Sequence, residues 1–136
     1  MDQLCTVTGY YDGPREGLCT LGGAWHVFRS TWDEAAQDYA DYFQLAPVPD
    51  DIAALFLEAW AIWQRWEAAL YGGSTTIESH PALPADKPRN DELKRITEGF
   101  LAATDWQIKR QMKVLEWLQS PFQAKPGPIA SVEWVE

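Results

Sequence analysis

Over the first thirty residues, apolar and polar positions alternate with a period close to two, the signature of half-buried strands. Leu4–Tyr11 is rich in β-branched and aromatic side chains. It ends in Asp12-Gly13-Pro14-Arg15-Glu16-Gly17, where Gly and Pro supply turn dihedrals. Leu18–Leu21 follows, then Gly22-Gly23, a pair suited to a tight hairpin, then Ala24–Arg29. The pattern predicts a three-stranded antiparallel meander. Its apolar face is carried by Cys5, Val7, Tyr11, Leu18, Trp25 and Val27.

The period then changes. Thr31-Trp32-Asp33-Glu34 fits a capping box and predicts a short helix to about Ala40, after which Tyr42–Leu45 returns as a strand. From Asp50 to Tyr71 the residues Ile52, Leu55, Phe56, Ala59, Trp63, Trp66 and Leu70 share about 100° of helical arc, and Gly72-Gly73 ends the run. Trp60 and Ile62 flank this stripe, Leu57 faces outward, and packing accounts for the tryptophans. Residues 72–89, with two glycines and three prolines, read as a long flexible loop. Asn90 caps a second long helix expected to run toward Gln119. Its stripe is Leu93, Ile96, Phe100, Val114, Leu115 and Leu118, with a weak point near Ala103. Ile129–Val135 reads as a last strand able to join the N-terminal sheet. With strands first and helices after, the chain reads as one α+β domain over residues 1–136: a small antiparallel sheet packed against two long helices.

Composition narrows the class without naming an activity. The chain is 46% hydrophobic and 23% charged, ordinary for one soluble domain. No apolar run reaches the roughly 18 residues of a membrane span, and Met1–Cys5 lacks a signal-like pattern, so a cytoplasmic setting is expected. Two cysteines are too few for a disulfide framework. The net charge of −9 is concentrated at the front: residues 1–58 carry −8 and residues 59–136 carry −1. Such a balance argues against a nucleic-acid surface and suits a basic partner or plain solubility.

Two constellations could carry chemistry or contact. A two-residue loop at Gly22-Gly23 pairs Leu21 with Ala24, Thr20 with Trp25 and Cys19 with His26, whose Cβ atoms would then stand about 5 Å apart. Tyr10 is expected on the other flank of Cys19, giving a Tyr10–Cys19–His26 row in which a thiolate could form. A buried, inert cysteine beside a satisfied histidine is the competing reading. Cys5 falls on the opposite face from Cys19, so no disulfide joins them. On the second helix, Trp106, Lys109, Arg110, Lys113 and Trp117 gather away from the core stripe, either as a contact surface or beneath another layer of the chain. The acids Asp33, Glu34, Asp38 and Asp41 could be taken for a metal or acid/base cluster, but two fall in the first turn of the predicted helix, where the dipole favours them, and no histidine lies nearby. Dinucleotide, phosphate-loop, zinc-protease, CxxC and GxSxG motifs are absent, and His26 and His80 are the only histidines. No cofactor or metal is expected.

The segments Tyr10–Gly17, Gly23–Arg29, Trp32-Asp33-Glu34, Phe43–Pro47 and Ala59–Trp66 together resemble a group of small, uncharacterised bacterial proteins, over about residues 7–70. The resemblance implies a bacterial cytosolic setting and carries over no activity, cofactor or catalytic residue. The leading expectation is a protein-interaction or inhibitor/immunity-like module rather than an enzyme. Its partner would be another protein or a second copy of the chain, with neither nucleic acid nor membrane. The alternatives are a small enzyme using the Cys19/His26 pair, and a ligand-binding fold with an aromatic pocket between sheet and helices.

Overall fold

The structure, a computed structural model, describes residues 1–136. Seven strands run in chain order as β1 (Asp2–Leu4), β2 (Gly9–Tyr10), β3 (Pro14–Leu21), β4 (Ala24–Asp33), β5 (Asp38–Pro47), β6 (Ile108–Trp117) and β7 (Ala130–Val135). Between β5 and β6 lie α1 (Asp50–Tyr71), a 3₁₀ turn (Ile77–Ser79) and α2 (Lys87–Ala102). All strand pairs are antiparallel, which bears out an α+β fold with an antiparallel sheet. Neither helix is long and apolar enough to cross a membrane.

The hairpin register is the one the glycines dictate. Gly22 and Gly23 take φ of 61° and 78°, left-handed values that glycine adopts without a Cβ clash. Leu21 then pairs with Ala24, Thr20 with Trp25 and Cys19 with His26. The sheet order β1-β7-β6-β5-β4-β3-β2 is closed by a further pairing of β1 with β3, giving a six-stranded barrel with β2 attached to β3. Leu4 is the closing residue: it lies opposite Cys19 on one side and Ala130 on the other, and is wholly buried. The C-terminal strand thus does join the N-terminal one, and closure removes the open edges that would otherwise invite pairing with another chain.

Barrel closure changes which faces are apolar. Inside, Phe28, Phe43 and Trp134 meet ring to ring at 5.8 to 6.0 Å. Trp134 Nε1 also reaches across to donate to the Thr20 carbonyl at 3.0 Å. Outside, Leu18, Val27 and Ala46 pack with Ala53, and Trp25, Phe56 and Phe100 lie against them. Strands β3, β4 and β5 are therefore buried on both faces, and carry the consecutive buried pairs Leu18-Cys19, Val27-Phe28 and Leu45-Ala46. Of the predicted apolar face, Leu18, Trp25 and Val27 do point together toward the helices. Val7 packs with the other cluster, from the irregular segment that crosses β3.

Helix α1 occupies the predicted span, with Asp50 and Asp51 in its first turn where the helix dipole favours negative charge. Bidentate pairs fix α2 beside it: Arg89 to Glu58 at 2.6 and 2.8 Å, and Arg65 to Asp86 at 2.9 and 3.0 Å. These exposed pairs set alignment more than they add stability. Ile62, Ala82 and Leu93 fill the seam between the helices.

Two predicted helical stretches are strands. The segment after Thr31 continues β4 through a hairpin into β5, with Trp32 opposite Tyr39 and Asp33 opposite Asp38. The Thr31–Glu34 capping box does not form; Asp33 Oδ1 accepts the Ala35 and Ala36 amides and Gln37 turns the chain with φ 51°. The second helix stops at Ala103, the predicted weak point, and residues 108–117 form β6. Lys, Arg, Gln, Met and Glu favour helix locally, but pairing with both β5 and β7 outweighs propensity. Of the stripe extended to that region, Leu115 and Leu118 are exposed instead of core.

Asp2 clips the N-terminus to the hairpin. Its carboxylate accepts the Gly22 and Gly23 amides at 3.1 and 3.0 Å and the Thr20 hydroxyl at 3.2 Å. Partial burial pushes the carboxyl up, but these bonds hold it net below the usual value near 3.8. A group depressed in the folded state stabilises above its unfolded pKa and loses that contribution as pH falls through the folded value. Asp2→Asn is therefore expected to lower stability by about 1–2 kcal/mol at pH 7, with the deficit shrinking toward pH 2. Urea melts at several pH values read both quantities; a pH-independent deficit would exclude the carboxylate as its source.

Candidate functional site

Phe28, Phe43 and Trp134 pack the interior of this six-stranded barrel and leave little room at its centre. A cleft of about 690 Å³ opens between the β3–β4 wall, α1 and the segments around Val7, His80 and Phe122. That is within the size range of small-molecule sites.

One wall of the cleft depends on a glycine. The chain at Cys5–Thr8 crosses β3 with the Cys5 amide 2.9 Å from the Leu18 carbonyl, and the Thr6 hydroxyl accepts the Leu18 amide at 2.9 Å. This approach takes place over Gly17, where a Cβ would collide with the Thr6 carbonyl oxygen. Opposite, α1 presents Phe56, Trp60 and Trp63 to the cleft. Trp63 stands edge-on to His80 at 5.5 Å. His80 is held in turn against Trp66, whose indole N–H donates to Ser79 Oγ at 2.8 Å. At the rim Phe122 meets Tyr10 edge to face at 5.0 Å.

Polar and charged side chains interrupt this aromatic lining. The Arg29 guanidinium lies 4.2 Å over the Trp106 ring and donates from Nε to Gln44 at 2.9 Å. Glu67, only 7% exposed, accepts the Gln123 amide at 2.8 Å and makes no ion pair. Burial lifts its carboxyl above the ordinary value, against the pull of that amide. The Trp60 indole N–H is buried and has no acceptor. A buried donor without a partner costs about 1–3 kcal/mol, a cost tolerated where function or a ligand offsets it.

The Cys19–His26 pairing forms as the register requires, but the catalytic row does not. Leu4, not Tyr10, flanks Cys19, and Tyr10 pairs with Pro14 at the far end of β3. Cys19 is fully buried, and burial pushes its thiol well above the usual value, with Cys5 and Asp2 adding repulsion. Cys5 is pushed up to about 11 by burial, and both cysteines are free thiols. His26 Nδ1 lies 2.8 Å from the Ala24 carbonyl, an acceptor only, which puts the ring proton there. Neither thiol is an activated nucleophile at neutral pH.

The five residues expected on one helical face are dispersed. Trp106 precedes β6 and lines the cleft under Arg29. Lys109 and Lys113 alternate outward on β6, Lys109 Nζ lying 4.6 Å over Tyr42. Arg110 is half-buried and bonded to Glu136 at 3.1 Å, and Trp117 ends the strand 44% exposed. No three His, Cys, Asp or Glu side chains gather closely enough to hold a metal ion.

No known family model, curated protein or solved structure matches the chain. Among the cleft residues, the sequence pattern accounts for Trp63 and Trp60 as packing and singles out none of Arg29, Glu67 and Phe122. The available signal was Glu67 itself, a carboxylate directly after Trp66 and one turn from Trp63 and Leu70 on the helix.

Proposed function

We propose that the chain binds a small, largely apolar ligand in the cleft between the β3–β4 wall and α1. The carrying observation is the lining: a cleft of about 690 Å³ in which 11 of the 21 lining residues are hydrophobic, most of them aromatic, with charged groups at Glu16, Arg29 and Glu67. That combination favours the aromatic-pocket alternative over a module defined by its outer surface. The unreactive thiols speak against covalent chemistry at Cys19.

The test uses N-phenyl-1-naphthylamine, a neutral apolar dye whose emission rises in apolar surroundings. Saturable binding at one dye per chain is expected. Trp63→Ala should weaken it about tenfold or more, because an aromatic wall of the cleft is lost. Trp32→Ala, at the exposed tip of the β4–β5 hairpin, should leave it unchanged. Equal binding to both variants, or no saturation in the natural chain, overturns the proposal.

A further inference from the structure

Resting on that reading, we infer that the ligand carries a positive charge: an amine or quaternary ammonium group on an apolar body, received by the aromatic rings of the cleft and by Glu67. Two independent features point to this chemistry. The first is Glu67, a residue 7% exposed in the cleft wall, whose carboxyl has one backbone amide as its partner and no cation within ion-pair distance. Buried carboxylates are ordinarily paired, since an unpaired one bears its full desolvation cost. The missing partner is a cation. Within the cleft lining the charged groups besides Glu67 are Glu16 and Arg29, and Arg29 is already engaged by Trp106 and Gln44.

The second feature is the ring set. Trp60, Trp63, Tyr10 and Phe122 line the same cleft as Glu67. Aromatic faces attract organic cations through their quadrupoles, and rings grouped with a carboxylate are the arrangement that recognises quaternary ammonium groups. The chain's net charge of −9 adds a long-range field of the same preference. Burial raises the Glu67 carboxyl, and a cation bound beside it would favour its charged form.

The probes are benzyltrimethylammonium, its neutral carbon isostere neopentylbenzene, and benzenesulfonate as the anion. Each is titrated directly against tryptophan fluorescence at low ionic strength. Benzyltrimethylammonium is expected to bind about tenfold more tightly than the isostere. Glu67→Gln keeps an acceptor for the Gln123 amide, so the fold should persist while the preference for the cation disappears. Should that variant fail to melt cooperatively, Trp63→Leu carries the test: the charge stays, and the cation should lose more affinity than the isostere. Equal binding of cation and isostere overturns the inference. So does a preference for benzenesulfonate, which would assign charge selection to Arg29, or a preference that survives Glu67→Gln. Dye binding without cation preference defeats the charge assignment alone, whereas absence of any binding defeats the ligand-binding proposal as well.

Discussion

Phe28→Ala is expected to lose about 3–5 kcal/mol of stability, a large part of the roughly 5–15 kcal/mol that holds a domain of this size together. Phe28 is 1% exposed and sits where the barrel interior is fullest, against Phe43 at 6.0 Å and Trp134 at 5.8 Å. Alanine there removes the transfer energy of the ring and leaves a cavity that β-strands tied on both sides cannot collapse to fill. Urea denaturation should show a lower midpoint with an unchanged slope, because the same surface is exposed on unfolding. A loss below about 1 kcal/mol would mean that the interior repacks, contrary to the closed geometry described above.

Gly17→Ala is expected to cost about 3 kcal/mol or more, at or beyond the upper end of ordinary overpacking, for a different reason. The added methyl would collide with the Thr6 carbonyl oxygen and stand 2.9 Å from the Thr6 carbonyl carbon and 3.1 Å from Phe28 Cε1. The first two are backbone atoms and cannot rotate away. Relief requires the Cys5–Thr8 segment to lift from β3, which would strain the Cys5–Leu18 and Thr6–Leu18 hydrogen bonds and open one wall of the ligand cleft. Dye binding should therefore fall together with stability. Gly99→Ala is the control: its new methyl meets nothing within 4 Å, and alanine favours the helix, so stability should rise slightly. Gly17 and Phe28 are direct partners across β3 and β4, so combining Gly17→Ala with Phe28→Ala should cost less than the two separate losses together. Thermal or urea melts of the four variants decide the matter; a Gly17→Ala protein as stable as the natural one would remove the close crossing from the account.

The sequence by itself determined what depends on neighbours in the chain. Glycines at 22 and 23 set a two-residue turn, and with it the pairing of Cys19 with His26. A 3.6-residue repeat closed by Gly72-Gly73 defined α1 from Asp50 to Tyr71. Partial alternation near the C-terminus marked β7 as a strand able to join the sheet, and the fold pairs it with β1. Each of these rests on dihedral preference or on a repeat that one element satisfies alone.

Only the tertiary structure decided the rest. Residues 108–117 hold helix-forming side chains, yet two flanking strands with unpaired backbone groups recruit them into the barrel. Closure buries both faces of β3 and β4, so Phe28 and Cys19 are as much core as Val27 and Leu18. A reading that assigns one apolar face to a sheet cannot anticipate this. The cleft is further still from sequence, because Thr6, Gly17, Arg29, Trp63, Glu67 and Phe122 come from separate stretches of the chain. Glu67 shows why: on the helix it is one of four carboxylates, and its environment changes when the fold leaves it 7% exposed and brings the Gln123 amide to it. Local patterns fix which backbone states are cheap, whereas burial and unpaired charge are properties of the assembled fold.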